Sequence, residues 1–484
     1  MQSMHNMFHK TQNYMSIIKR KILLLNVMLV VSNVTVYAQK TAALEKFLQN
    51  KELTHASVSF KAVDLNDGKT IASFNEKMAL IPASNLKIVT TATALDTLGD
   101  NFCFQTALTY GGTIKDSVLE GNLYLKGSGD PTLGSEFMTG DKEDFLKYCL
   151  TALRKVGIKS IDGDIIILDQ LFGYEGVSPT WLEEDLNSYY ASGVFGISIF
   201  DNTYRIYLQS YKPGTQVKIL SVSPEIPGLQ LTNDLKASKR KDDGSRIGGL
   251  PSSYEKRLYG TIPARQTIYV IKGAIPDPGM FLANYLHNFL GNNGITIKGK
   301  ATTFRLAHKL PENDRVIAII QSPPLSAIVR ETNKESNNHY AEHLYRTLLM
   351  LDSLNFSNYW ERRGLDGSSL FMADGSGLSP ADAVSTDFLT GVLIYMYNKT
   401  GTMGSFYQSL PIAGVEGTVA SFLKETPLAG KARLKSGSIS HVQTYSGYVE
   451  DGDNHYVFSL IVNNFSGTRH ALKKAIEELL VGLF

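Results

Sequence analysis

Residues 86–98, LKIVTTATALDTL, limit most strongly what this chain can fold into. Ile88, Val89, Ala92 and Leu95 fall at helical spacing, and Lys87 and Asp96 are the only charged side chains. The spacing predicts a helix buried on most sides. Pro82 suits its first turn and Gly99 its end. A lysine near the start of such a helix is costly unless something uses the ammonium. Ser84 stands three residues earlier, on the same helical face. An amine deprived of water loses affinity for its proton. As a neutral base it can take the proton of a neighbouring hydroxyl while that oxygen attacks a carbonyl. The N–H groups at the helix start suit a developing oxyanion.

Ser-x-x-Lys alone is common. Ser238–Lys241, Ser253–Lys256 and Ser421–Lys424 repeat it here. The first two lie in or beside a polar loop, where an amine is expected to stay solvated. Lys87 itself has a bland alternative, a stem buried along the helix with its head snorkelling to water. The pair therefore needs support from elsewhere in the chain.

The N-terminus carries the expectation that the chain is exported. Lys19, Arg20 and Lys21 precede an apolar run from Ile22 to Val31, and small residues close it at Ala38. This reads as a secretory signal peptide, residues 1–38, with an uncleaved anchor as the alternative. No cysteine follows the run closely, so lipidation is not expected. Residues 1–38 hold four basic and no acidic residues, so the net charge of +2 becomes 2 − 4 = −2 after cleavage. That charge removes any argument for nucleic-acid binding, and no nucleic-acid partner is expected. Cys103 and Cys149 could pair or remain buried thiols, and no cysteine or histidine cluster has metal-site spacing.

Along the 484 residues the texture changes twice. A short amphipathic helix at 41–48 and a hairpin turning at Asn66-Asp67-Gly68 come first. Residues 105–299 break into short strand-like runs and read as a β-rich insertion. The last third returns to helices meeting near Ser336, with Ser326 as a cap. Strands turning at 450–453 come next, and the chain closes on a helix with Leu472, Ala475, Ile476, Leu479, Leu480 and Leu483 on one stripe. The first hairpin and the last strands are expected to share one antiparallel sheet, terminal helices on one face and the Ser84 helix on the other. The expected organisation is α+β: a catalytic domain from 39–104 and 300–484, interrupted by the insertion.

Two further stretches supply the missing support. ESNNHY contains Ser336-Asn337-Asn338 between helices, and RLKSGSIS contains Lys435-Ser436-Gly437 on a strand. Ser-x-x-Lys, Ser-x-Asn and Lys-Ser/Thr-Gly, in that order, are the signature of serine enzymes that react with penicillin. LKGSGDPTL (125–133), MADGSGLSP (372–380), LPIAGVEGT (410–418) and the 248 residues (336 − 87 − 1) between Lys87 and Ser336 add to it. The mature chain resembles the D-alanyl-D-alanine carboxypeptidase/endopeptidase family, the class C low-molecular-mass penicillin-binding proteins.

The resemblance implies a penicillin-binding/serine β-lactamase-like fold, an antiparallel sheet flanked by helices. It implies a periplasmic or secreted peptidase acting on peptidoglycan peptides and their cross-links, acylated by β-lactams, with no metal or cofactor. Ser84 would be the nucleophile and Lys87 its base. Ser336 would pass a proton to the leaving amine, and Asn338 would bind the substrate amide and Lys87. Lys435 would supply positive charge near the substrate carboxylate. Ser436, in a Lys-Ser-Gly completed by Gly437, would hydrogen-bond that carboxylate. The N–H groups of Ser84 and Ser438 would form the oxyanion hole. The insertion would supply an acid that reads a diaminopimelate side chain, for which Asp169 is the candidate by its place after a strand. The family commonly has threonine at the position of Ser436 and aspartate at that of Asn337. Loose association with membrane or wall and the oligomeric state stay open. A non-catalytic wall-binding protein and a serine β-lactamase are the competing readings. The intact trio argues against the first and the long insertion against the second.

Other candidates read as structural. His339 and His343 lack the His-Glu-x-x-His arrangement. Asp130 and Asp374 sit beside glycines, as loop anchors do. Trp181, Tyr189 and Tyr190 are expected to be buried in the insertion rather than stacked on a glycan.

Overall fold

The computed structural model describes residues 42–351 and 354–484. The expected signal segment lies outside the described residues.

The two ends of the chain build one five-stranded sheet. Its order is Ala432–Ile439, Val442–Asp451, Asn454–Asn463, Ser57–Asp64, Thr70–Phe74, and every neighbouring pair is antiparallel. Alternation divides its side chains between two cores. Phe60, Phe458, Leu460 and Val462 face the helices 42–48 and Arg469–Leu483. Val63, Val457 and Ile461 face the Ser84 helix, Lys87–Leu98, and its helical neighbours Leu325–Lys334, Asn338–Leu349 and Thr386–Thr400. The closing helix buries the six residues of its expected stripe. Its cap is Thr468, whose side chain accepts from the Ala471 N–H. The helix before Ser336 is capped differently from expectation. Pro324 occupies its N-cap, and Ser326 lies inside the helix.

The middle of the chain is more mixed than its punctuation suggests. Strands Gln105–Lys115 and Val118–Lys126 form a long hairpin at the centre of a seven-stranded sheet that also has parallel pairs. Two helices missed in the sequence pack on it, Asp144–Lys155 and Pro278–Asn292. The first carries a helical stripe of Phe145, Leu146, Cys149, Leu150 and Leu153, and the second opens with Asp277 as cap and Pro278 behind it. Two small sheets complete the insertion, one of Thr203–Gln209, Lys218–Ser223 and Tyr269–Ala274, the other built around Glu255–Pro263. Strand Arg315–Gln321 pairs with Gln105–Lys115, so the larger sheet reaches past the residue-299 boundary expected from sequence. Both cysteines are free thiols, Cys149 buried and Cys103 partly so. Among the described residues no helix is long and apolar enough to cross a membrane.

Candidate active site

Ser84 stands in a 3-10 turn, Ala83–Leu86, that runs into the buried helix. Ala83 holds φ at +46°, a left-handed conformation that a Cβ disfavours. Such strain persists only where the surroundings impose it. Here glycine in the facing strand makes the approach feasible. A Cβ on Gly437 would stand 2.8 Å from both the Pro82 carbonyl oxygen and the Ser84 nitrogen. The Lys-Ser-Gly strand therefore passes directly against the nucleophile turn.

Lys87 is fully buried. Its Nζ donates to Ser84 Oγ at 2.9 Å, Asn338 Oδ1 at 2.6 Å and the Ser376 carbonyl at 2.7 Å. Burial pulls its proton affinity down to about 7, partly offset by the nearby carboxyls Asp374, Glu342 and Asp382. A neutral amine there keeps two hydrogens for the amide and carbonyl and turns a lone pair toward Ser84.

Ser336 and Asn338 come from the break between two helices. Ser336 sits at φ +55° after Lys334 ends the first. Asn337 caps the second, its side chain accepting from the Tyr340 N–H at 3.0 Å. Aspartate would cap equally well. Asn338, the first residue of that helix, accepts from Lys87 Nζ at Oδ1 and donates from Nδ2 to the Tyr190 carbonyl at 2.9 Å.

The third element is the edge strand Ala432–Ile439. Lys435 is fully buried and donates to Ser336 Oγ at 2.9 Å and to the Ser436 carbonyl at 2.8 Å. Burial, and then the charge of Lys87, hold its proton affinity well below that of a free lysine. Ser436 Oγ donates to Thr418 Oγ1 at 2.9 Å, which brings the LPIAGVEGT stretch to the site. Ser84, Ser336, Asn338, Ser436 and Ser438 line one cleft of about 680 Å³.

Beneath Lys87 lies a device that sequence reading missed. Glu342, one turn beyond Asn338, is buried and accepts from the N–H groups of Gly375 (3.0 Å) and Ser376 (2.7 Å). Asp374 accepts from the N–H groups of Ser376, Gly377 and Ser379, and from the Trp181 indole. Asp382 accepts from Ala373 and Asp374. Desolvation raises Glu342 to about 8 and Asp382 to about 10, so both favour the neutral acid. Together these carboxyls hold the loop 373–379 so that the Ser376 carbonyl points at Lys87. Helical spacing from Asn338 to a lone glutamate was the available signal.

Asp169 is not part of the cleft. It is buried elsewhere in the insertion, raised to about 6 chiefly by burial, with the Tyr174 hydroxyl at 3.5 Å. The insertion's loop 182–190 brings Glu184, Asp185, Tyr189 and Tyr190 to the cleft instead. His339 and His343 are buried with rings 4.4 Å apart. His343 bonds to the Gly129 carbonyl and Ser198, so it joins the helix to the insertion. Among the described residues no group of three His, Cys, Asp or Glu could hold a metal. Trp181 is buried as expected, but Tyr189, expected to be buried with it, is 55% exposed and lines the cleft beside Tyr190. Lys256, expected to be solvated, is only 2% exposed.

Comparison with known proteins gives the chain's family and fold. The D-Ala-D-Ala carboxypeptidase 3 (S13) family matches residues 40–483. The D-alanyl-D-alanine carboxypeptidase DacB of Haemophilus influenzae is 26% identical over 85% of this chain and 86% of its own. A D-alanyl-D-alanine carboxypeptidase of Actinomadura is 25% identical over 88% and 81%. The crystal structure of penicillin binding protein 4 from H. influenzae superposes with a TM-score of 0.78 at 24% identity, covering 90% of this chain and 98% of that one.

Proposed function

The chain belongs to the D-Ala-D-Ala carboxypeptidase 3 (S13) family, and on that premise we propose that Ser84 cleaves peptidoglycan stem peptides and their cross-links through an acyl-enzyme. It is a serine-type D-alanyl-D-alanine carboxypeptidase/endopeptidase of the penicillin-sensitive class. The observation that carries the assignment of residues is the convergence of Lys87 Nζ on Ser84 and Asn338, and of Lys435 Nζ on Ser336, in one cleft.

Neutral Lys87 takes the Ser84 proton as Oγ bonds to the carbonyl carbon of the D-alanyl peptide bond. The N–H groups of Ser84 and Ser438 hold the oxyanion. Asn338 holds Lys87 and the substrate amide. The substrate's terminal carboxylate hydrogen-bonds Ser436, and Lys435 supplies positive charge beside it, which the carboxylate in turn favours. Ser336 passes a proton to the leaving nitrogen as the C–N bond breaks. Water then attacks the ester, giving up a proton to the same base, and Ser84 is regenerated. A β-lactam opens by the same attack, but its amine stays tethered and the adduct persists. Glu184 and Asp185 take the place expected of Asp169 as acids facing the peptide's third residue. The enzyme acts in the periplasm or outside the cell after removal of residues 1–38.

The test is covalent labelling by a fluorescent penicillin together with D-alanine release from muropeptides. Both are expected in the wild type and absent in Ser84→Ala. A folded, unlabelled wild type overturns the assignment.

A further inference from the structure

Lys256 shares the Ser-x-x-Lys pattern but serves no catalytic step. It lies on strand Glu255–Pro263 of the insertion, 2% exposed, and no carboxylate offsets its desolvation. Its Nζ instead donates to three oxygens: Asn187 Oδ1, the Leu250 carbonyl at 2.6 Å and the Pro251 carbonyl at 3.1 Å. An ammonium with three donors and a long stem can satisfy three acceptors at once, and neutral side chains of similar length cannot. Asn187 completes the clamp by donating from Nδ2 to the Gly249 carbonyl at 2.8 Å. The Asn187 carbonyl accepts from the Ala274 N–H at 2.9 Å.

The clamp matters because the residues on either side of Asn187 reach the active-site cleft. Asp185, Tyr189 and Tyr190 line it, and the Tyr190 carbonyl accepts from Asn338 Nδ2. Asn187 itself holds φ at +69°, so the loop is kept in a conformation that costs energy without its restraints. A continuous path of hydrogen bonds and loop backbone thus runs from a buried lysine in the insertion to the asparagine beside Lys87.

We propose that Lys256 is a positioning residue for recognition of extended peptide: its ammonium ties loop 249–251 to Asn187 and so fixes the cleft wall 182–190 that a stem peptide must lie against. The proposal rests on the peptidase reading given above. Small acyl donors need only the Ser84 end of the cleft, so they sense the clamp little. Cross-linked peptides reach the wall and sense it fully.

The experiment compares full-length Lys256→Met and Asn187→Gly with wild type. Glycine tolerates the positive φ while removing the amide that Lys256 holds. The expected result is a KM for a purified cross-linked muropeptide raised about ten-fold, with kcat and the rate of fluorescent-penicillin acylation each within about two-fold. Asn187→Gly carries the test if Lys256→Met does not fold. An unchanged KM in a folded variant overturns the proposal. So does a parallel fall in penicillin acylation, which would make the clamp a general support of the fold. Labelling of the wild type checks the peptidase reading separately, so the two failures are distinguishable.

Discussion

Lys87 and Lys256 invite comparison, because both are buried lysines three residues after a serine and both lose proton affinity to desolvation. Their partners separate them. Lys87 meets a hydroxyl, an amide oxygen and one carbonyl at the floor of a cleft. Lys256 meets an amide oxygen and two carbonyls inside the insertion, while Ser253 is engaged by the Glu255 N–H. Burial alone therefore does not make a base. A base also needs a proton donor with somewhere to send its oxygen, and Lys256 has none.

The largest effect should separate the two most sharply. Lys87→Met is expected to slow acylation by penicillin about 10³-fold, measured by the rate of fluorescent labelling, while Lys256→Met leaves that rate nearly unchanged. Equal losses would erase the distinction. Next in size is the pH dependence. Lys87 is lowered to about 7, so it is protonated and idle below that pH and neutral above it. Acylation should fall roughly ten-fold per pH unit on the acid side of 7, in step with the neutral fraction. A flat labelling rate across that range would remove Lys87 from the role of base.

A smaller effect concerns the loop beneath Lys87. Glu342→Gln keeps an oxygen for the Gly375 and Ser376 N–H groups and should acylate within about three-fold of wild type. Glu342→Ala strands the buried Gly375 N–H, at about 1–3 kcal/mol, and leaves the Ser376 N–H only its longer bond to Asp374. It should lower the melting temperature and slow labelling more than Glu342→Gln does. Equal behaviour of the two variants would mean that the loop does not aim the Ser376 carbonyl. Smaller still is Asn337→Asp, expected to match wild type in thermal melts and labelling, whereas Asn337→Ala loses the cap and about 1 kcal/mol. Asp169→Asn should leave the muropeptide KM unchanged, because its carboxyl lies outside the cleft. A raised KM would restore it as a reader of substrate.

The elements that could be read from sequence are those whose signal is local. The Asn66-Asp67-Gly68 turn and the six-residue stripe of the closing helix needed no knowledge of their surroundings. The helix Asp144–Lys155 was equally local, yet the strand-like runs around it hid a regular apolar stripe. Asp169 was chosen by its position after a strand, and position along the chain does not say which way a side chain faces. Glu342 left only a spacing, and Lys256 looked solvated because its neighbours in sequence are polar.

The chain's own order of residues decided that a serine and a lysine would share one face of an enclosed helix, that Asn337 would start another, and that a glycine would stand two places after Lys435. Those facts come from helical pitch, capping and the room a missing Cβ leaves. Folding decided the rest. Residues 84, 338, 376 and 435 come from four separate segments, and only their meeting sets how much water and charge each lysine feels. Proton affinity depends on that three-dimensional environment, so the same motif became a base at one place and a clamp at another.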